Sequence, residues 1–244
     1  MRIELLGTGG YHPNERRHTA CVMLPEVGIV FDAGTSFFRV SGRLETRDIQ
    51  IFLSHAHLDH IAGLTFFLLP MTQGDVDRVC VYGTPATLRA VQDLLFAEPI
   101  FPVQPDFEYV ELSDEVTVPN GGVLTHLALE HPCGSTGYRI DWSDRCIAYI
   151  TDTTAGPSYV DFIDGVDVLI HECNFPDEMA EWAVQTGHSH STQVAELARD
   201  AQVGQLILLH FDPQHPEDDP IGLETVRQIF PNTLLAEDLM TVEF

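Results

Sequence analysis

The six residues His55-Ala-His57-Leu-Asp59-His60 constrain this chain more than any other stretch. Three imidazoles and a carboxylate follow directly on an apolar run over 49–54, and apolar residues at helical spacing begin at Ile61. A strand therefore ends and a helix begins across a cluster of donors. Side chains at alternate positions of an extended segment share a face, so His55 and His57 can close on one cation. Asp59 and His60, reached as the chain turns, can point at a second. Carboxylate with imidazole suits Zn²⁺ best, with Mn²⁺ or iron as alternatives. The competing reading is a solvated polar turn with incidental histidines.

Four donors in one turn cannot fill the coordination of two cations, so further ligands are expected from strand ends elsewhere. Three apolar runs terminate in suitable residues: Leu127-Ala128-Leu129-Glu130 in His131, Ile147-Ala148-Tyr149-Ile150-Thr151 in Asp152, and Leu206-Ile207-Leu208-Leu209 in His210. Strand ends are where a layered α/β scaffold gathers its site. Asp152 could bridge the two cations, since each carboxylate oxygen can take one.

The pattern of elements is mixed throughout. Strands are expected over 2–6, 19–24, 28–31, 49–54 and 78–82, with helices over 61–69, stopped by Pro70, and over 85–96. A meander of strands follows at 123–130, 136–142 and 146–151. The last third alternates: a strand over 168–172, a helix over 192–201 capped by Ser191, a strand over 205–210, a helix over 221–229 and a terminal strand pair near 234–244. Two similar sets of β then α elements, with no linker between them, predict an α/β four-layer αββα sandwich forming a single domain over 1–244.

Composition excludes several function classes. Acids outnumber bases 37 to 12, every base is arginine, and the formal charge is −25. A nucleic-acid coat or an anionic-membrane binder is held by Lys and Arg that neutralise phosphate, so neither partner is expected. A local basic cluster could still engage a small phosphate, and Arg17, beside Arg16, could grip one bidentately or form a surface salt bridge. Five scattered cysteines without a CxxC pair argue against a disulfide framework and favour a reducing compartment, here the cytoplasm.

The His55–His60 cluster matches the HxHxDH signature, and with His131, Asp152 and His210 following in order the chain resembles the metallo-β-lactamase superfamily. The resemblance extends to the ribonuclease Z and small phosphodiesterase branch through Leu6-Gly7-Thr8-Gly9-Gly10, Phe31-Asp32-Ala33-Gly34, His171-Glu172, His190-Ser191-Thr192 and Leu209-His210-Phe211. It implies that His55, His57 and His131 hold one metal, that Asp59, His60 and His210 hold the other, and that Asp152 bridges both. It further implies that Glu172 orients His190, which protonates the leaving group, with a buried structural hydrogen bond as the alternative for that pair. Asp59, Glu172 and His190 are thus the catalytic candidates, and Asp32 is expected to buttress the metal loop. His171, adjacent to Glu172 on one strand, faces the other way. His188 reads as a surface or packing residue.

These expectations describe an enzyme: a two-metal hydrolase, acting as a phosphodiesterase on a small phosphodiester through a metal-activated hydroxide. Only 20 residues separate His131 from Asp152, which leaves no room for the transfer-RNA-binding arm that many ribonuclease Z members carry there. The alternatives are a hydrolase of a carbonyl substrate (thioester, lactone or amide) and a metal-binding scaffold without chemistry. Relatives in this branch often form homodimers, and the resemblance implies the same here.

Overall fold

The computed structural model describes residues 1–244, which divide into two compact units. The first comprises residues 1–113 and 238–243. Its strands are β1 (Arg2–Gly7), β2 (Cys21–Leu24), β3 (Ile29–Phe31), β4 (Asp48–Phe52), β5 (Arg78–Gly83) and β6 (Glu108–Glu111), joined at the β1 edge by the chain's last strand, Met240–Glu243. β1 pairs antiparallel with β2 across a long loop and β2 with β3 across a short turn, whereas β3 to β6 run parallel. Parallel neighbours need a crossover. Helix α1 (Leu58–Ile61), a 3₁₀ turn and α2 (Leu68–Gln73) connect β4 to β5, and α3 (Pro85–Ala90) leads from β5 toward β6.

Alternation along the strands sends Leu6, Met23, Val30, Ile51 and Val81 to the helix-covered face. There they pack with Phe37, Ile61, Leu64, Phe67 and Leu88, and the Phe37 and Phe67 rings lie 4.8 Å apart. The predicted helix over 61–69 is shifted. Pro70 does not stop it but sits in the first turn of α2, where the missing N–H has no intrahelical partner to lose.

The second unit comprises residues 114–237 and Phe244. An antiparallel meander of β7 (Glu115–Val118), β8 (Gly122–Leu129), β9 (Ser135–Asp141) and β10 (Cys146–Ile150) passes into a parallel set, β11 (Val168–Glu172), β12 (Gln205–Leu209) and β13 (Thr233–Leu235). Helices α4 (Val160–Ile163), α5 (Ala180–Thr186), α6 (Ser191–Asp200) and α7 (Leu223–Ile229) lie between the parallel strands. Val194, Ala198 and Val226 pack with Ala148, Leu169 and Leu206 of the sheet. Each unit is thus a seven-stranded mixed sheet with its own helical cover, the repeated β-then-α layout expected from sequence.

Two expectations are corrected. The terminal strands are not a pair: β13 continues the second sheet beside β12, and Met240–Glu243, here β14, pairs with β1 in the first. Ser191 does not cap α6 but is its first residue, and its hydroxyl donates to the carbonyl of Ile221. Asp177 takes over the capping role, accepting from the Thr192 N–H at 2.8 Å and from its hydroxyl at 2.6 Å.

Candidate metal centre

In the first unit, the donors are positioned by Asp32. This residue directly follows β3, takes the left-handed region (φ 57°) and is fully buried. One oxygen accepts from the Ser54 N–H at 2.7 Å, and the other lies 2.8 Å from Nδ1 of His60. A proton held at Nδ1 by a carboxylate leaves the opposite nitrogen, Nε2, as the lone-pair donor. The loop is also locked through its backbone, because Ala33 N–H donates to the His60 carbonyl and Gly63 N–H to the Ala33 carbonyl. A Cβ at Gly63 would lie 2.1 Å from the Gly34 carbonyl oxygen, so only glycine permits this approach.

Two donor pairs result. His55 Nε2 and His57 Nδ1 lie 2.8 Å apart, and His60 Nε2 lies 3.4 Å from Asp59 Oδ2. Two ligands about 2.05 Å from one tetrahedral ion would stand roughly 3.3 Å apart, a spacing the Asp59–His60 pair matches, while the His55–His57 pair stands closer, at hydrogen-bond distance. His55, Asp59 and His60 are buried. The Tyr11 N–H donates to Asp59 Oδ2 at 2.8 Å.

In the second unit, His131 follows β8, Asp152 follows β10 and His210 follows β12. Asp152 and His210 also take positive φ, 50° and 63°. Such conformations cost of order 1 kcal/mol or more in a residue with a side chain and concentrate at functional sites. The two Asp152 oxygens face different imidazoles: Oδ1 lies 3.1 Å from His210 Nε2, and Oδ2 lies 3.7 Å from His131 Nε2. His131 Nδ1 is held at 3.1 Å by the Gly187 carbonyl, and His210 Nδ1 at 3.1 Å by the Asn174 amide. Both rings therefore turn Nε2 toward Asp152. Cys173 is buried, and burial pushes its thiol well up, which keeps it protonated and out of the donor set.

Glu172 ends β11, fully buried. It accepts from the N–H groups of Thr153 (2.8 Å), Ser189 (3.1 Å) and Asn174 (3.2 Å), and from His188 Nδ1 at 2.9 Å. Burial pushes this carboxyl up, but the His188 imidazole outweighs it, with help from other groups, and holds it below the usual carboxylate range. The expected Glu172–His190 pair is therefore corrected: the partner is His188, which the sequence reading set aside. His188 also gathers with Asp152 and His210, donor atoms within 4.8 Å of one another. His190 instead meets Asp177 at 2.7 Å, where it immediately precedes α6. In an extended run, His188 and His190 share a face, so alternation could not separate them.

Two further residues are placed. His171 turns away from Glu172, with Nε2 2.7 Å from the Tyr159 hydroxyl and Nδ1 on the Glu172 carbonyl. Arg17 is 2% exposed, so the expectation of a guanidinium presented to substrate phosphate, or paired at the surface, is corrected.

Buried imidazole nitrogens and carboxylate oxygens on strand ends, with a carboxylate behind His60 and a carbonyl behind His131, form a donor set that suits a divalent cation of Zn²⁺ type. They define a metal-binding class of α/β protein. Residues 28–211 match the family model described as Beta-lactamase superfamily domain, and the chain belongs to that superfamily. Its fold class is accordingly the α/β metallo-β-lactamase fold, and it is a metal-dependent hydrolase. The ribonuclease Z of Methanosarcina acetivorans is 29% identical over 299 residues, covering 100% of this chain and 98% of its own. That of Archaeoglobus fulgidus is 26% identical over 301 residues, with 100% and 97% covered. Among solved structures, the metallo-β-lactamase fold protein YhfI of Bacillus subtilis superposes with a TM-score of 0.83 at 20% identity, over 99% of both chains. The short form of human tRNase Z gives 0.79 at 22%, over 100% and 99%. A diphosphatase of the PhnP family gives 0.74 at 21%, over 100% and 97%. The ribonuclease Z names stand in tension with the expectation that nucleic acid is not a partner. No helix is long and apolar enough to cross a membrane.

Proposed function

We propose that the chain is a dinuclear phosphodiesterase acting on a small phosphodiester, with the two units working as one hydrolase domain. His55, His57 and His131 would hold one divalent cation, Asp59, His60 and His210 the other, with Asp152 between them. Zn²⁺ suits this donor set best. Bound there, the cations supply a water of lowered pKa as nucleophile and polarise the phosphoryl oxygen. The observation that carries the reading is the Asp152 carboxylate, whose two oxygens face two different imidazoles at 3.1 and 3.7 Å.

The chain's own residues handle the proton. Glu172, fixed by three backbone N–H groups, holds Nδ1 of His188 and so orients the ring. His188 Nε2 can then pass a proton to the departing oxygen. This pair takes the acid–base role that the sequence assigned to Glu172 with His190.

A small substrate is favoured over a polyanion by where the arginines go. Eight of the twelve pair with carboxylates, among them Arg39 with Asp238, Arg47 with Asp77 and Arg78 with Glu108. A nucleic acid is held by cations left over to neutralise phosphate, and here most are matched within the chain. The test is a hydrolase panel on metal-reconstituted protein: phosphodiesters, phosphomonoesters, thioesters, lactones and a transfer-RNA precursor. Turnover of bis(p-nitrophenyl) phosphate with about two metal equivalents per chain is expected. Preferential thioester or lactone turnover, or under half an equivalent of metal, would refute the reading, and cleavage of the RNA would move it to the substrate of its named relatives.

A further inference from the structure

We infer that Tyr11, with His12 beside it, is a substrate-contact platform on which the planar base of a nucleoside-bearing phosphoester stacks next to the Asp59–His60 donor pair. The inference rests on the reading of that pair as part of a metal site, and it adds the part of the substrate recognised there.

Tyr11 has two features that local energetics disfavours. The residue is 75% exposed, and its backbone takes φ 56°, an outlier for a bulky residue. Both persist because the surrounding loop is fixed. The Asp238 carboxylate accepts from the Thr8 N–H (3.0 Å), the Thr8 hydroxyl (2.9 Å) and the His18 N–H (2.9 Å), so one side chain clamps both ends of the loop. Arg39 holds Asp238 in turn at 2.6 Å. Within the loop, Gly9 N–H donates to the His18 carbonyl and His12 N–H to that of Gly10. Asn14 Oδ1 accepts from the N–H groups of Arg16 and Arg17. The apex is then tied to Asp59 through the Tyr11 N–H at 2.8 Å.

The result is an aromatic ring standing in solvent on a rigid support, attached by its own backbone to a proposed metal ligand. The exposed His12 ring, 5.2 Å away and tilted by 58°, extends the platform. Strain kept at such a position points to function. A ring of this kind, within a side chain's length of the Asp59 carboxylate, can stack on a base joined to a bound phosphate. Base–aromatic stacking changes affinity about 5- to 150-fold and tolerates base identity, because every base offers a π face.

The test is calorimetric and does not depend on turnover. Metal-loaded full-length protein is titrated with 5′-AMP and with ribose 5-phosphate, as wild type, Tyr11→Phe and Tyr11→Ala. Wild type and Tyr11→Phe should bind AMP about 10-fold or more tighter than ribose 5-phosphate. In Tyr11→Ala the two affinities should converge to within about twofold, with ribose 5-phosphate binding unchanged. Tyr11→Asn, which tolerates positive φ, carries the same expectation and substitutes if the alanine variant fails to fold. The inference is overturned if wild type shows no preference, if Tyr11→Ala or Tyr11→Asn keeps it, or if either loses both ligands equally. Absent turnover with the AMP preference intact would sink only the phosphodiesterase reading, and binding of neither ligand would sink both.

Discussion

Asp32→Asn separates the chemistry of the metal loop from its folding. The carboxylate accepts from the Ser54 N–H and hydroxyl and lies 2.8 Å from His60 Nδ1. Asparagine tolerates φ 57° and is nearly isosteric, so the backbone strain at this position is unchanged. Its single oxygen can still accept from the Ser54 N–H, but its NH₂ must then face Nδ1. That donor pushes His60 into the tautomer protonated on Nε2, the nitrogen 3.4 Å from Asp59 that would bind the cation. Losing the group that orients a metal-binding imidazole costs about 10- to 100-fold in affinity, or about 1.4–2.7 kcal/mol. Competition against a chelating dye should therefore show one site weakened by that factor and the His55–His57 site changed much less. Metal content after dialysis against chelator should fall from about two equivalents toward one. An Asp32→Asn protein that binds both equivalents within twofold of wild type would refute the tautomer argument.

Two other predictions bear on the second unit. His188→Ala should slow a phosphodiester with a poor leaving group about 10²- to 10⁴-fold while affecting p-nitrophenolate release much less; His190→Ala, which loses only its bond to Asp177, should show no such leaving-group dependence in kinetics on paired substrates. Burial lowers His171 and raises Tyr159 well above the usual tyrosine range, so the unfolded chain takes up a proton first below about pH 6.5 and loses one first above about pH 10. The contribution of His171 is then present above pH 6.5 and lost as pH falls, and that of Tyr159 is present below pH 10 and lost as pH rises. In urea titrations, the advantage of wild type over Tyr159→Phe should narrow by up to about 1.4 kcal/mol per unit above pH 10, and a constant gap would contradict the assignment.

What the sequence disclosed depended on whether a residue's role is fixed locally. His131, Asp152 and His210 were legible because each terminates an apolar run, and a strand delivers its terminal side chain wherever the run ends. Asp32 was legible for the same reason, lying just after Phe31. The Glu172 partner was not. His188 and His190 stand two apart in an extended segment, and what distinguishes them is Asp177, on a turn before α5, which captures His190 and the start of α6. Arg17 was misread because an adjacent arginine pair in an acidic chain looks superficial, whereas its burial is set by tertiary packing. Pro70 was misread because its cost depends on which turn of a helix it occupies, and that turn is decided by where α2 begins.

The left-handed residues connect these observations. Asp32, Asp152 and His210 each leave a strand with φ between 50° and 63°. A strand that simply continued would send successive side chains to alternate faces, and the residue after its last pairing would point up or down with the pleat. A single left-handed residue breaks that alternation and turns the chain sharply where the strand ends. Asp is among the few side-chain-bearing types that enter this region readily, and His is enriched there too. The residue types that can bind a cation therefore overlap with those that tolerate the turn. Glycine would relieve the strain at any of the three positions but would remove the donor. Asp and His at these turns satisfy both requirements together, which is why apolar runs ending in Asp or His carried so much of the site in the bare sequence.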